Sequence, residues 1–247
     1  VTAHSFRTAT GVIVPAITTE QMREVDRVAI EEVGPNLFQM MENAGRNLAL
    51  SAIDLLGSEW QRSAIVVLAG TGGNGGGGIA AARHLANRGA RVTVAVTDRA
   101  RLGPVPATQL DIFGGTDGRL VHLSELDGTT PGLVIDALIG YSLAGAPMGT
   151  ARDMIDWCGA AAAPVLSLDV PSGLDSTSGA APGIVVQATR TLTLALPKQG
   201  LTAPQVGDLW LADIGIPAEV YRRVGVDVAP TLFGSEYRVR LEAVGAT

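Results

Sequence analysis

Two hydrophobic rhythms alternate along this chain: apolar residues spaced three or four apart, and short unbroken apolar runs bounded by glycine, proline or acidic residues. Met22, Val25, Val28 and Ala29 keep helical spacing behind Thr18 and Thr19, either of which offers an N-cap. After Gly34-Pro35 a second helix is predicted, capped by Asn36. Its apolar positions are Leu37, Met40, Met41, Ala44, Leu48 and Ile53, and it ends at Gly57. Ala64–Ala69 reads as a buried strand, 79–89 as a helix and Arg91–Val96 as the next strand, a βαβ unit closed around a glycine turn. The alternation continues with a short helix at 107–113, strands at 120–123 and 133–138, and a helix at 148–158. Strands at 165–170 and 189–196 follow, with 207–211 as a last edge strand. This order predicts one α/β domain of αβα type with a mostly parallel central sheet. Residues 1–15 read as a flexible lead-in, 16–223 as the domain and 224–247 as a loosely patterned tail.

The stretch from Val66 to Arg88, VVLAGTGGNGGGGIAAARHLANR, organises the rest. Seven of the nine residues from Gly70 to Gly78 are glycine. A strand that runs through a glycine turn into a helix presents bare N–H groups and a helix N-terminus to an anion. Gly70-Thr71-Gly72-Gly73-Asn74-Gly75 also satisfies G-x-G-x-x-G in its required context. The turn reads as a nucleotide or phosphate site, against the plainer alternative of a tight structural turn.

Composition narrows the class. Hydrophobic residues are 47% and charged residues 17% of the 247, which predicts a folded rather than a disordered chain. A net charge of -6 and a pI near 5.0 argue against a nucleic-acid surface. Cys158 is the single cysteine, so neither an intrachain disulfide nor a cysteine zinc site is available, and its apolar setting reads as core. No stretch reads as a membrane span, and residues 1–14 lack the apolar core of a signal peptide. A cytoplasmic protein is expected.

Asn74, Asp98, Asp136 and Asp169 fall at the carboxyl ends of expected strands, where open α/β sheets bind ligands. An acid inside an apolar run such as Val134-Ile135-Asp136-Ala137-Leu138 is costly unless paired, hydrogen-bonded or coordinated. The Pro171-Ser172-Gly173 turn is suited to aiming Asp169. Ser172 lacks a nucleophile-elbow setting. His4, His84 and His122 have no metal-ligand spacing, and His84 reads as a helix-face residue.

Five motifs in order then carry a resemblance: Met41-Glu42-Asn43-Ala44-Gly45; Gly70 to Gly78 followed by Ala81-Ala82-Arg83-His84-Leu85; Asp136-Ala137-Leu138-Ile139-Gly140; Asp169-Val170-Pro171-Ser172-Gly173-Leu174-Asp175; and Pro197-Lys198-Gln199-Gly200. Over roughly residues 17–217 the chain resembles the NAD(P)H-hydrate epimerase family, also found as the N-terminal half of bifunctional nicotinamide-repair enzymes. The resemblance implies a Rossmann-like three-layer αβα sandwich, a homodimer, and interconversion of the R and S forms of hydrated NADH or NADPH. The family's separate dehydratase domain is not expected here. Asn74, Asp136 and Ser172 match the family's potassium ligands, one ion per subunit. Asp169 matches a substrate-contacting residue and is the acid/base candidate. Gly73, Asn74, Gly75, Gly76 and Gly77 match the substrate-binding loop, and Gly140, Tyr141, Ser142, Leu143, Ala144, Gly145 and Ala146 a second, phosphate-contacting loop. Lys198 is expected to make an ion pair or structural hydrogen bond.

Two departures stand out. The family loop usually reads G-x-G-N-N-G-G-D-G, whereas Gly73 and Gly77 here replace its first asparagine and its aspartate, which implies a wider, looser site. Gly140-Tyr141-Ser142-Leu143 replaces the common G-T-G-L and brings a phenol near the ligand. Alternative readings are a divergent member that binds a nucleotide-like ligand without turnover, and an NAD-dependent oxidoreductase using Asp98.

Overall fold

The structure, a computed structural model, describes residues 5–244. Thr18 opens helix α1 (Thr19–Val28) with a capping box: its hydroxyl accepts from Gln21 N–H at 3.1 Å while the Gln21 amide accepts from Thr18 N–H at 2.9 Å. Asn36 and Gln39 repeat the device at the head of α2 (Leu37–Leu56), which stops at Gly57, φ 58°. The βαβ unit follows as β3 (Ala64–Ala69), α3 (Gly73–Ala86) and β4 (Arg91–Val96). Then come α4 (Pro104–Phe113), β5 (Arg119–Val121), β6 (Leu133–Ala137), α5 (Gly149–Ala160), β7 (Val165–Leu168), β8 (Arg190–Leu194), β9 (Asp208–Ala212) and the short α6 (Ala218–Arg223).

Helix α3 begins six residues earlier than its apolar pattern predicts. Glycine costs roughly 1 kcal/mol per residue in a helix interior, so GNGGGG is a poor helical opening on propensity alone. Packing overrides it. A Cβ at Gly75 would stand 1.9 Å from the Gly70 carbonyl oxygen, one at Gly76 2.3 Å from Met41 Sδ, and one at Gly78 2.4 Å from the Ala137 Cβ. At these three positions there is no room for a side chain between the helix and its neighbours.

Both ends of the chain depart from expectation. Residues 5–15, read as a flexible lead-in, contain β1 (Ser5–Thr8) and β2 (Ile13–Pro15), and the tail contains β10 (Arg238–Val244). Strand β9 is therefore not an edge: it lies between β8 and β10. Among the described residues the sheet order is β2-β1-β10-β9-β8-β7-β6-β3-β4-β5, parallel from β9 to β5 and antiparallel across β10, β1 and β2. Short, partly exposed strands such as β10, with only one of its seven residues buried, leave a weak alternation to read.

Side chains alternate across the parallel strands into two cores. Ile65, Val67, Ile135 and Leu166 pack with Leu48, Ile79, Leu85 and Phe113 of α2, α3 and α4. Val66, Leu68 and Val134 pack with Met154, Ile155 and Cys158 of α5 on the other face. The result is the αβα sandwich, with a third cluster tying α1, α6 and the terminal strands together. Helix α2 packs closely on α3. A Cβ at Gly45 would lie 2.5 Å from the Ala80 Cβ and 3.0 Å from α3 backbone. Gly45→Ala is expected to destabilise the domain by about 1–3 kcal/mol through overpacking. A urea titration with an unchanged midpoint would contradict this joint.

Candidate active site

Strand β3 has β4 on one side and β6 on the other, so the chain direction of winding reverses between β3 and β6. Crevices at such switch points, outside the carboxyl ends of parallel strands, are where α/β sheets take ligands. A cavity of about 500 Å³ opens there, walled by the head of α3, residues 138–142, the ends of β7 and β8, and α1 and α2. It is wide enough for a small organic ligand.

Asp169 sits at the end of β7, 4% exposed, with φ 67°. Val170 N–H donates to the Leu168 carbonyl at 2.9 Å, which closes a three-residue γ-turn around it. Beside it, Ala195 at the end of β8 has φ 62° and the same turn, with Leu196 N–H donating to Leu194 O at 2.7 Å. Positive φ on residues with a Cβ costs about 1–3 kcal/mol each and marks backbone held by its surroundings. The pair of turns aims Asp169 inward and brings round Lys198, 1% exposed. Lys198 Nζ makes an ion pair with Asp169 Oδ1 and donates to the Leu194 carbonyl at 2.9 Å and Thr193 Oγ1 at 3.3 Å. Tyr141 N–H donates to the other carboxylate oxygen, Oδ2, at 3.0 Å. Lys198 thus makes the ion pair expected of it.

Asp136 is fully buried. Its Oδ2 accepts from Ser167 Oγ at 2.8 Å and Ser172 N–H at 2.9 Å; its Oδ1 accepts from Ser172 Oγ at 2.5 Å and Leu138 N–H at 3.3 Å. Burial pushes the Asp136 carboxyl above the usual carboxylate range, and these hydrogen bonds oppose the rise. Ser172 Oγ also accepts from Ile139 N–H at 2.9 Å. The structure therefore joins Asp136 to Ser172 directly. Asn74 lines the cavity from α3 beside Gly140, its amide Nδ2 buried without a partner. A Cβ at Gly140 would stand 3.3 Å from Asn74 Oδ1 and 3.0 Å from Asp169 Oδ2, so the glycine lets both side chains close in.

Of the remaining loop residues, Gly73, Gly77, Tyr141 and Ser142 face the cavity, while Gly75 and Gly76 are packed against β3 and α2. Leu143, Ala144 and Gly145 lie outside the cavity wall, and Ala146 borders a second hollow with Met148 and Arg152. Asp98 is exposed and caps its own turn, accepting from Ala100 N–H at 3.0 Å. It does not belong to the ligand rim, so the dinucleotide-fingerprint role read for it has no support. His84 pairs with Glu42 at 2.8 Å, and His4 lies outside the described residues. Cys158 is buried core, its thiol pushed up by burial.

Sequence reasoning missed Asp26. It lies on the cavity wall, and its Oδ2 accepts from the Tyr141 hydroxyl at 2.6 Å. Its spacing was the available signal: four residues after Met22, it stands on the same face of α1 as that buried methionine.

An α/β sandwich whose switch point holds a mostly apolar cavity with a few convergent polar groups is the form of a small-molecule site. Residues 37–200 match the family described as YjeF-related protein N-terminus, and the chain belongs to that family. It is 49% identical to an NAD(P)H-hydrate epimerase of Dehalogenimonas lykanthroporepellens across 98% of each chain. It is 35% identical to one from Weissella koreensis, over 84% of this chain and 95% of that protein. A bifunctional NAD(P)H-hydrate repair enzyme Nnr of Salinibacter ruber is 37% identical over 85% of this chain, which spans 42% of that longer protein. The crystal structure of yeast ynu0 shares the fold with a TM-score of 0.79 at 19% identity, covering 91% of this chain and 99% of the yeast one.

The two glycines that depart from the family loop differ in their surroundings. At Gly73 a Cβ meets nothing within 4 Å, but at Gly77 it would stand 2.8 Å from Leu168 Cδ2. The site is open at the first position and filled by leucine at the second. Gly73→Asn should leave stability within about 0.5 kcal/mol of the parent. Gly77→Asp should cost about 1–3 kcal/mol and couple favourably, by more than 0.5 kcal/mol or so, with Leu168→Ala. Additive melting shifts in the double variant would contradict the contact.

Proposed function

We propose that this protein is an NAD(P)H-hydrate epimerase, an isomerase of metabolite repair that interconverts the R and S forms of hydrated NADH or NADPH. The observation that carries the reading is the buried Asp169–Lys198 pair facing a cavity rimmed by the glycine-rich head of α3. The names of the relatives support it. Epimerisation needs a proton delivered to the departing hydroxyl of the hydrated nicotinamide carbon and removed from the water that returns on the other face. Asp169 is placed for this general acid–base work, with Lys198 holding its orientation and offsetting its charge. The first turn of α3 and residues 140–142, which border the cavity, are suited to the dinucleotide phosphates.

Asp169→Ala should lower kcat about 10²- to 10⁴-fold. Chromatography of purified R-NADH hydrate, with the spontaneous rate subtracted, checks this. A parent rate equal to that in buffer rejects the activity and favours a family member that binds without turnover.

We further propose one potassium ion per subunit, held by Asn74, Asp136 and Ser172. The donor set is oxygen-rich, as a hard cation requires. Asp136 is a fully buried carboxyl group with no cationic partner among the described residues, and Ser172 Oγ lies against it. When bound, the ion would supply the missing counter-charge. Potassium at about 100 times its Kd should add about 2.7 kcal/mol of stability over an organic cation at matched ionic strength, and Asp136→Ala should abolish the difference. Identical parent melting in both buffers would reject the site.

The protein is also proposed to act as a cytoplasmic homodimer. Ile30, Leu37, Phe38 and Leu50 stand exposed on the opening helical segment, and a lone cysteine suits a reducing compartment.

A further inference from the structure

One carboxyl group of the cavity has no part in the mechanism so far. Asp26 comes from α1, far from every motif of the site, yet it shares the cavity with Asp169. A single residue grips both. Tyr141 donates its hydroxyl to Asp26 Oδ2 at 2.6 Å and its N–H to Asp169 Oδ2 at 3.0 Å. Tyr141 is itself pinned. Its carbonyl accepts from Ser176 Oγ at 3.0 Å, and Ser176 Oγ lies 2.6 Å from Thr19 Oγ1 in the first turn of α1. Tyr141 thus ties α1, the β6 loop and the β7 end together and holds two carboxyl groups of the cavity through two different donors, and of these only Asp169 has an ammonium partner.

We propose that Asp26 is the second acid–base group of the epimerisation, serving the ring face opposite to Asp169, with Tyr141 as its positioning residue. This rests on the epimerase reading. Epimerisation exposes both faces of one carbon to proton transfer, and one fixed carboxyl group reaches both only if the ring turns over inside the site. With two, the ring stays in place. Asp26 gives its proton to the hydroxyl oxygen; the C–O bond breaks, and its electron pair leaves on oxygen as water. The lone pair of the adjacent ring nitrogen forms a C=N bond. Water then adds to the carbon from the other face, returning the C=N pair to nitrogen, and Asp169 takes the surplus proton. The reverse reaction exchanges the two roles, and solvent restores the protons. Nothing is oxidised or reduced.

The electrostatics agree with an acid at this place. Burial is the largest influence on Asp26 and raises its pKa; the Asp169 charge raises it too, while the Tyr141 hydrogen bond and the Lys198 charge oppose. The Arg23 charge opposes the upward shift of the same phenol, and the Asp26 charge adds to the upward shift of Tyr221 in α6. Because the phenol hydrogen bond lowers the Asp26 pKa, its removal has a definite sign. The basic limb of a rate that needs protonated Asp26 must move to higher pH.

Parent, Asp26→Asn and Tyr141→Phe enzymes, each confirmed folded by its melting transition, are assayed on R-NADH hydrate across pH. Asp26→Asn should lose at least about 100-fold in kcat with KM changed by no more than roughly threefold. Tyr141→Phe should move the basic limb of kcat upward by a resolvable fraction of a pH unit, which a merely structural contact would not do. Full kcat in folded Asp26→Asn, or an unmoved limb in Tyr141→Phe, overturns the assignment while leaving the epimerase reading intact. A parent rate equal to the spontaneous rate overturns both.

Discussion

The close approach of α3 to its neighbours is the constraint on which the rest depends. With Gly75 against the Gly70 backbone, Gly76 against Met41 and Gly78 against Ala137, the first turn of α3 lies flush with the end of β3 and with α2. Any Cβ at these positions would lift the helix off the sheet. The same contact brings Gly73 and Asn74, at the head of the helix, to the cavity. Poor helix propensity is accepted here because the site requires backbone where another fold would place side chains.

Charge is handled differently at the two buried acids that end β6 and β7. Asp136 is satisfied by hydroxyl and backbone donors and has no cationic partner among the described residues. Asp169 is neutralised by Lys198, the single lysine of the chain, which twin γ-turns bring together. Removing one partner of such a buried pair leaves an uncompensated charge, a loss of several kcal/mol in general. The Asp169–Lys198 arrangement is thus rigid, and the backbone strain at Asp169 and Ala195 is sustained by the hydrogen bonds of the Asp169 and Lys198 side chains and by the turns themselves.

Tyr141 shows how a loop substitution acquires meaning only in three dimensions. The phenol that replaces a small polar residue of the family loop is half-buried, lies 5.9 Å from Lys198 Nζ by its ring centroid, and reaches α1 through Asp26. Likewise Leu168 occupies the space above Gly77, so the expected loosening of the loop is confined to Gly73.

Much of this was legible in the chain itself. Apolar periodicity gave the order of helices and of the parallel strands because each buries a face of fixed repeat, 3.6 residues in the helices and two in the strands. Thr18 and Asn36 announced their helices through local capping chemistry. Asp136 and Asp169 stood out because polar residues inside apolar runs demand a partner, and Lys198 through its motif alone. Tertiary structure decided the rest. The start of α3 was invisible because packing, not propensity, makes six glycine-rich residues helical. Strands β1, β2 and β10 were invisible because each is short or mostly exposed, and their place in the sheet depends on β1 pairing with β10 more than 200 positions away, as Ser5 opposite Val244 does. Asp26 was hidden for the same reason: its partner, Tyr141, comes from another element, and only the folded chain sets the two 2.6 Å apart.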